Sequence, residues 1–105
     1  MLGELEQLVL LAALRVGPDA YAVTIAEALD AHAGRAVLIA TVHRTLARLE
    51  EKGLVASRMG EPTPQRGGRR KRHYAVTPAG RRELAESLEA VRALARGLRP
   101  GWEAS

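Results

Sequence analysis

Apolar residues recur at three- and four-residue steps in four stretches of the chain, which predicts a protein built mainly from short helices. In the first stretch Leu5, Leu8, Val9, Ala12, Ala13 and Val16 form one stripe, closed by Gly17-Pro18, a pair suited to a helix stop. Leu2, Leu10, Leu11 and Leu14 add a second apolar side. Such a helix fits either the centre of a small core or a contact with another subunit. A second helix is predicted over residues 22–33, with Val23, Ile25, Ala26 and Leu29 inward and Gly34 as its stop. After a short connection holding Arg35 and Leu38, a third begins near Thr41, whose hydroxyl would cap free backbone N–H groups. It carries Val42, Leu46 and Leu49 as its buried row and ends at Lys52-Gly53, where glycine suits a left-handed cap. Three short helices with tight connections resemble a helix-turn-helix core.

Beyond Gly53 the period shortens. Residues 54–58 read as a strand, residues 60–68 hold two Pro and three Gly and read as a loop, and residues 73–76 read as a second strand with Tyr74 and Val76 on one face. The hairpin so formed spans about residues 54–77. Thr77-Pro78 then supplies a cap and a first helical position. In the last helix, residues 78–96, Leu84, Leu88, Val91, Ala95 and Leu98 step by 4, 3, 4 and 3 residues, a heptad-like seam. Glu83, Glu86 and Glu89 precede Arg92, Arg96 and Arg99. That order suits the helix dipole and also antiparallel pairing with a second copy; the other reading is a helix lying on its own domain. The fold class expected from this pattern is mainly α with a small β-hairpin.

Composition narrows the chemistry. The 105 residues suit one domain, and with no Phe and 3% aromatics the core must come from Leu, Val, Ile and Ala. A domain this small gains from a partner chain. No apolar run is long enough for a membrane span, and Glu4 and Glu6 within residues 1–7 argue against a secretory signal; a cytoplasmic protein is expected. The absence of Cys excludes disulfides and thiolate chemistry. The net charge is +4, and its distribution says more than its size. Arg66, Arg69, Arg70, Lys71 and Arg72 fall in one eight-residue window without an acid, and the rest of the chain carries 11 basic against 12 acidic residues. A local cluster of this kind points to a polyanion, although a solvated loop also fits.

On the third helix the face opposite Val42, Leu46 and Leu49 presents Ala40, Thr41, Arg44, Ala47, Arg48 and Glu51, with His43 on the flank. Small residues allow close approach, and arginines supply forked donors. A helix read in the major groove needs both. The hairpin places Arg69 to Arg72 on an arm that can follow phosphates, with Arg70, Arg72, Tyr74 and Val76 on one face and Lys71 and His73 on the other. Tyr74 is read as a core residue.

The order helix–helix–helix–hairpin–helix, together with LGELEQLVLLAAL at residues 2–14, TVHRTLARLEEKGLV at 41–55 and RRKRHYAVTPAGRREL at 69–84, resembles the PadR-like family of winged helix-turn-helix transcriptional regulators, in its compact branch with one C-terminal helix. The resemblance implies a homodimeric repressor: residues 1–77 a winged helix-turn-helix that binds double-stranded DNA, residues 78–105 a dimerisation helix and short tail. Thr41, Leu46, Arg48, Leu49 and Glu50 match the family's recognition helix. Tyr74, Thr77, Pro78 and Gly80 match the returning wing strand and the cap after it. Tyr21 matches an aromatic before the second helix, where members place polar contacts to DNA. The chain departs from the pattern at Ala40, His43 and Arg44, where the family usually has Gly, Tyr and often Pro. The DNA-binding set expected is Tyr21, Thr41, His43, Arg44, Arg48, Arg69, Arg70, Lys71 and Arg72; the dimer set is Leu84, Leu88, Val91, Ala95 and Leu98. Some members bind flat apolar compounds between subunits through a Trp on the last helix. Here Gly97 and Pro100-Gly101 precede the single Trp, Trp102, so a tail beyond the helix is expected, and a small-molecule effector stays open.

Catalysis has no constellation to rest on. His32, His43 and His73 stand on separate elements without metal-ligand spacing, and Arg66-Gly67-Gly68-Arg69 lacks the remainder of a phosphate loop. No cofactor or metal is expected. The competing function is a winged-helix module that binds protein rather than DNA, against which the basic arm argues. Double-stranded RNA is disfavoured because its major groove does not admit a reading helix.

Overall fold

A computed structural model describes residues 2–61 and 71–104. Within them the order is α1 (Glu4–Val16), α2 (Ala22–Ala33), α3 (Ile39–Glu51), β1 (Val55–Met59), β2 (Arg72–Val76) and α4 (Pro78–Ala95), with 3-10 turns at Gly17–Asp19 and Trp102–Ala104. α1 takes the central position and packs against α2, α3, β2 and α4. Val9 and Leu10 are fully buried, and Ala12 and Ala13 nearly so. Leu10 therefore belongs to the core and not to a second outer side; of that second group only Leu11 is exposed. Glu6 starts the helix. Its Oε1 accepts the Gly3 N–H at 3.0 Å and its Oε2 accepts from Lys52 Nζ at 2.7 Å. One carboxylate thus caps α1 and clamps the end of α3. The Lys52 ammonium, with the Gly3 N–H behind it, holds the Glu6 carboxyl below the usual glutamate range despite its burial.

α2 turns Ala22, Ile25 and Leu29 inward. Val23, expected inward, is exposed because one residue beyond Ala22 is a rotation of about 100° on a helix. α3 starts two residues before the predicted cap. Leu38 is its last extended residue, and the Leu38 carbonyl accepts from the N–H groups of Thr41 and Val42 at 2.9 and 3.1 Å. Thr41 consequently sits within the first turn, where its hydroxyl accepts from the Arg44 guanidinium at 3.2 Å rather than capping the helix. The row Val42, Leu46 and Leu49 is fully buried as predicted, joined by Thr45. The Thr45 hydroxyl satisfies itself on the Thr41 carbonyl at 2.9 Å, which removes the penalty of burying it.

β1 and β2 pair antiparallel, with Val55 opposite Val76, Ser57 opposite Tyr74 and Met59 opposite Arg72. Relative to the predicted bounds, the pairing starts at Val55 and reaches Met59 on one strand and starts at Arg72 on the other. Tyr74 closes the core from the hairpin side, and burial pushes its phenol above the ordinary value. Thr77 then locks hairpin to helix: its Oγ1 donates to the Gly53 carbonyl at 2.7 Å and accepts from the Gly80 N–H at 3.0 Å. Gly80 has to be glycine, since a Cβ there would fall on the Leu54 carbonyl oxygen and stand 2.9 Å from Val76 Cγ1.

The predicted heptad seam divides in two. Leu84 is buried in the core of its own domain and Leu88 packs against that core, so Leu84 offers a partner nothing. Val91, Ala95 and Leu98 face outward, as does Leu94, which is 83% exposed. The cause is the course of α4: its first half lies on α1 and β2, while its second half runs beyond them. The radius of gyration is 16.0 Å, where a compact chain of this size has about 13 Å.

Candidate nucleic-acid interface

α2 and α3, joined by residues 34–38, form a helix-turn-helix, and the β1–β2 hairpin stands beside it as a wing. α2 begins at Tyr21, whose backbone N–H donates to Thr24 Oγ1 at 3.0 Å, while the Thr24 hydroxyl donates to the Asp19 carbonyl at 2.6 Å. This turn anchors the Tyr21 backbone and leaves its ring to meet the wing. Lys71 Nζ lies 3.3 Å from the Tyr21 hydroxyl and 4.4 Å from the ring centroid, a hydrogen bond and a cation–π contact together. The His73 ring meets Tyr21 edge to face, with centroids 5.6 Å apart. His73 Nδ1 is 3.2 Å from the Pro18 carbonyl; a carbonyl only accepts, so that nitrogen carries the proton. The Tyr74 N–H completes the joint by donating to the Ala20 carbonyl at 2.8 Å.

The other face of β2 reaches α3. Arg72 donates to Ser57 Oγ at 3.0 Å, and the Ser57 hydroxyl donates to Glu50 Oε2 at 2.7 Å. The wing and α3 are thereby tied at the end of α3, and Lys52 ties the same end to α1. With its far end clamped twice, α3 presents an open row of Ala40, His43, Arg44, Ala47, Arg48 and Glu51. Arg48 stands near enough to Glu6 to add to the downward pull on its carboxyl.

Tyr21 and Lys71 are thus brought together where the wing meets the start of α2, and Thr41 and Arg44 on successive turns of α3. Arg72 is held against Ser57. His43 and Arg48 stay on the open side of α3. Arg66, Arg69 and Arg70 lie outside the described residues. Three residues of the surface were absent from the expected set. His73 was placed on the face of Lys71 by strand alternation, yet no signal gave it Tyr21 or Pro18 as partners. Leu38 and Ile39, 76% and 45% exposed, open α3 as an apolar pair. Their only sequence signal is that they belong to neither the second nor the third helix's buried row. Trp102 opens the 3-10 turn that follows α4 and Gly97. Among the described residues no cluster of His, Asp and Glu could hold a metal ion, and no helix is long and apolar enough to cross a membrane.

A helix-turn-helix with a wing packed against it defines the winged-helix class. Within that class the chain belongs to the PadR-like family of transcriptional regulators, whose family model matches residues 10–86. Among solved structures it is similar to a PadR family transcriptional regulator from Eggerthella lenta DSM 2243, at 28% identity over 90% of this chain and 81% of that one, with a TM-score of 0.69. A PadR family transcription regulator from Clostridium difficile R20291 has the same fold, at 22% identity, coverage of 90% and 93%, and a TM-score of 0.73. So does Bacillus subtilis PadR in complex with operator DNA, at 22% identity and a TM-score of 0.64; there 81% of this chain covers 48% of the other. Curated protein sequences returned no match.

Proposed function

We propose that the protein is a sequence-specific DNA-binding transcriptional regulator, acting in the cytoplasm as a homodimeric repressor. α3 enters the major groove, the wing follows adjacent phosphates, and residues 78–105 join two copies. The observation that carries this reading is the division of α3 into a buried row and an open, basic row, its far end fixed to both α1 and the wing. Such a helix is held at one end and accessible along its length, with two arginines against one acid on its open row. Bacillus subtilis PadR, whose fold this chain shares, is a protein held on operator DNA. Arg44 is the best-placed base reader, since it stands in the second turn, on the open row, with its guanidinium already oriented by Thr41 at 3.2 Å. Lys71 and Arg72 are assigned to the phosphates, both exposed on the wing with Lys71 set by Tyr21 and Arg72 by Ser57.

Gel-shift titration on random duplex DNA over a range of salt tests the reading. Binding should fall with salt, each phosphate contact steepening the log–log slope by about 0.9. No binding at low salt would reject DNA as the partner and leave the protein-docking alternative. Arg44→Ala should weaken binding to a selected site by about 1–3 kcal/mol more than binding to random sequence. Equal losses would move Arg44 to the phosphates. Lys71→Ala combined with Arg72→Ala should lower affinity on all sequences and flatten the slope; an unchanged slope would detach the wing from the DNA. A reporter placed behind the selected site should fall in output when the protein is expressed.

A further inference from the structure

The geometry points to Leu38 and Ile39 as readers of thymine through its C5-methyl group, an inference that rests on the DNA-binding reading above. Leu38 occupies the N-cap of α3, a position that favours Ser, Thr, Asp or Asn, and no side chain caps this helix. The chain therefore gives up a capping hydrogen bond to keep an apolar side chain that is 76% exposed. Ile39 beside it leaves a further 45% of its surface in water. Neither residue belongs to the core, whose members at this end of α3 are Val42 and Leu46. Two adjacent large aliphatic side chains thus stand open at the start of the helix proposed to enter the groove, where first-turn residues meet base edges.

The surroundings choose the occupant. Arg44 and Arg48 follow on the open row of the same helix, so the pair leads into a face whose two arginines suit a polyanion. The major groove of DNA offers one apolar group on its base edges, the thymine methyl. Ala40, exposed next to Ile39, leaves room for the helix to approach closely enough for van der Waals contact. Leu38 and Ile39 accordingly favour thymine where the start of α3 enters each half-site, by excluding water from the methyl rather than by hydrogen bonding. Arg44, one turn further on, reads a neighbouring base.

The test begins with a duplex selected from a random pool by the full chain, followed by its copy with deoxyuridine for every thymine, a change that removes only the methyl groups. At fixed salt the unaltered protein should bind the deoxyuridine copy about three- to fivefold more weakly per contacted methyl, the value of burying one such group. Leu38→Asn with Ile39→Ala should bind both copies equally. Asn is a favoured cap, so loss of folding does not confound the result, and thermal unfolding checks this directly. Leu38→Met should keep the preference for the methylated copy. Sequence-selective binding by the unaltered protein that ignores the methyl groups would overturn this inference and leave the proposed function standing. Retention of the full methyl preference in the double variant would overturn it likewise. No binding to any duplex at low salt would overturn both. A shift in oligomer mass caused by Leu38→Asn would assign the patch to a second copy and refute the thymine reading.

Discussion

At Glu6 a single side chain links three parts of the molecule. Its carboxylate accepts from the Gly3 N–H and from Lys52 at 2.7 Å while its own side chain is only 12% exposed. The depressed pKa fixes the sign of the pH dependence. The folded state binds this proton more weakly than the unfolded chain, so the stabilisation is complete above the ordinary glutamate pKa of about 4.3. It is lost as pH falls through the lower folded-state value. Thermal unfolding followed from pH 7 to pH 2 should show this loss, and Glu6→Gln should flatten that part of the curve. Lys52→Ala should cost about 1–3 kcal/mol at neutral pH, because a nearly buried carboxylate would lose its charged donor. Leu38 provides the opposite case. Leu38→Asn should raise stability by about 0.5–2 kcal/mol through a new cap, measurable as an increase in Tm. Stability and base reading would then move in opposite directions at one position.

Element by element, what the sequence made legible was whatever repeats. The rows of α1, α3 and the start of α4 follow from three- and four-residue spacing, and the Thr77 cap from Thr-Pro, since both signals are local. The start of α3 was misplaced because Thr41 looks like a cap, whereas the backbone bends at Leu38, a residue without capping chemistry. Val23 misled for a similar reason: its apolar type says nothing about which side of Ala22 the core lies on. The Tyr21–Lys71–His73 joint was illegible because its members are 50 residues apart and no periodicity connects them. Gly80 shows how one atom of contact governs two elements. α4 starts so close to Leu54, the residue before β1, that a methyl group would displace one from the other. Gly80→Ala should therefore destabilise the fold by about 1–3 kcal/mol, as overpacking does, even though Ala favours a helix over Gly. Denaturant unfolding measures the balance, and a stabilised Gly80→Ala would show that α4 shifts freely on β1.

For the molecule as a whole, the second half of α4 is the part without a core of its own. Val91 and Leu94 are 53% and 83% exposed and Leu98 48%, an apolar edge that a second copy would cover under the proposed homodimer. Leu94→Glu should give monomers by sedimentation or light scattering with little change in monomer folding, since Leu94 touches no core. Dimers of unaltered mass would move the seam elsewhere. Leu84→Glu, by contrast, should unfold the domain, because it is buried in it. Under the proposed homodimer the projection of α4 would also divide the work of recognition. In a pair of copies joined through that projecting rod, the bases read within each half-site depend on α3, while the distance between half-sites depends on the angle at which the two rods cross. Spelling and spacing are then separate variables: a substitution in the rod can retune the gap between two unchanged half-sites from a point that never touches DNA.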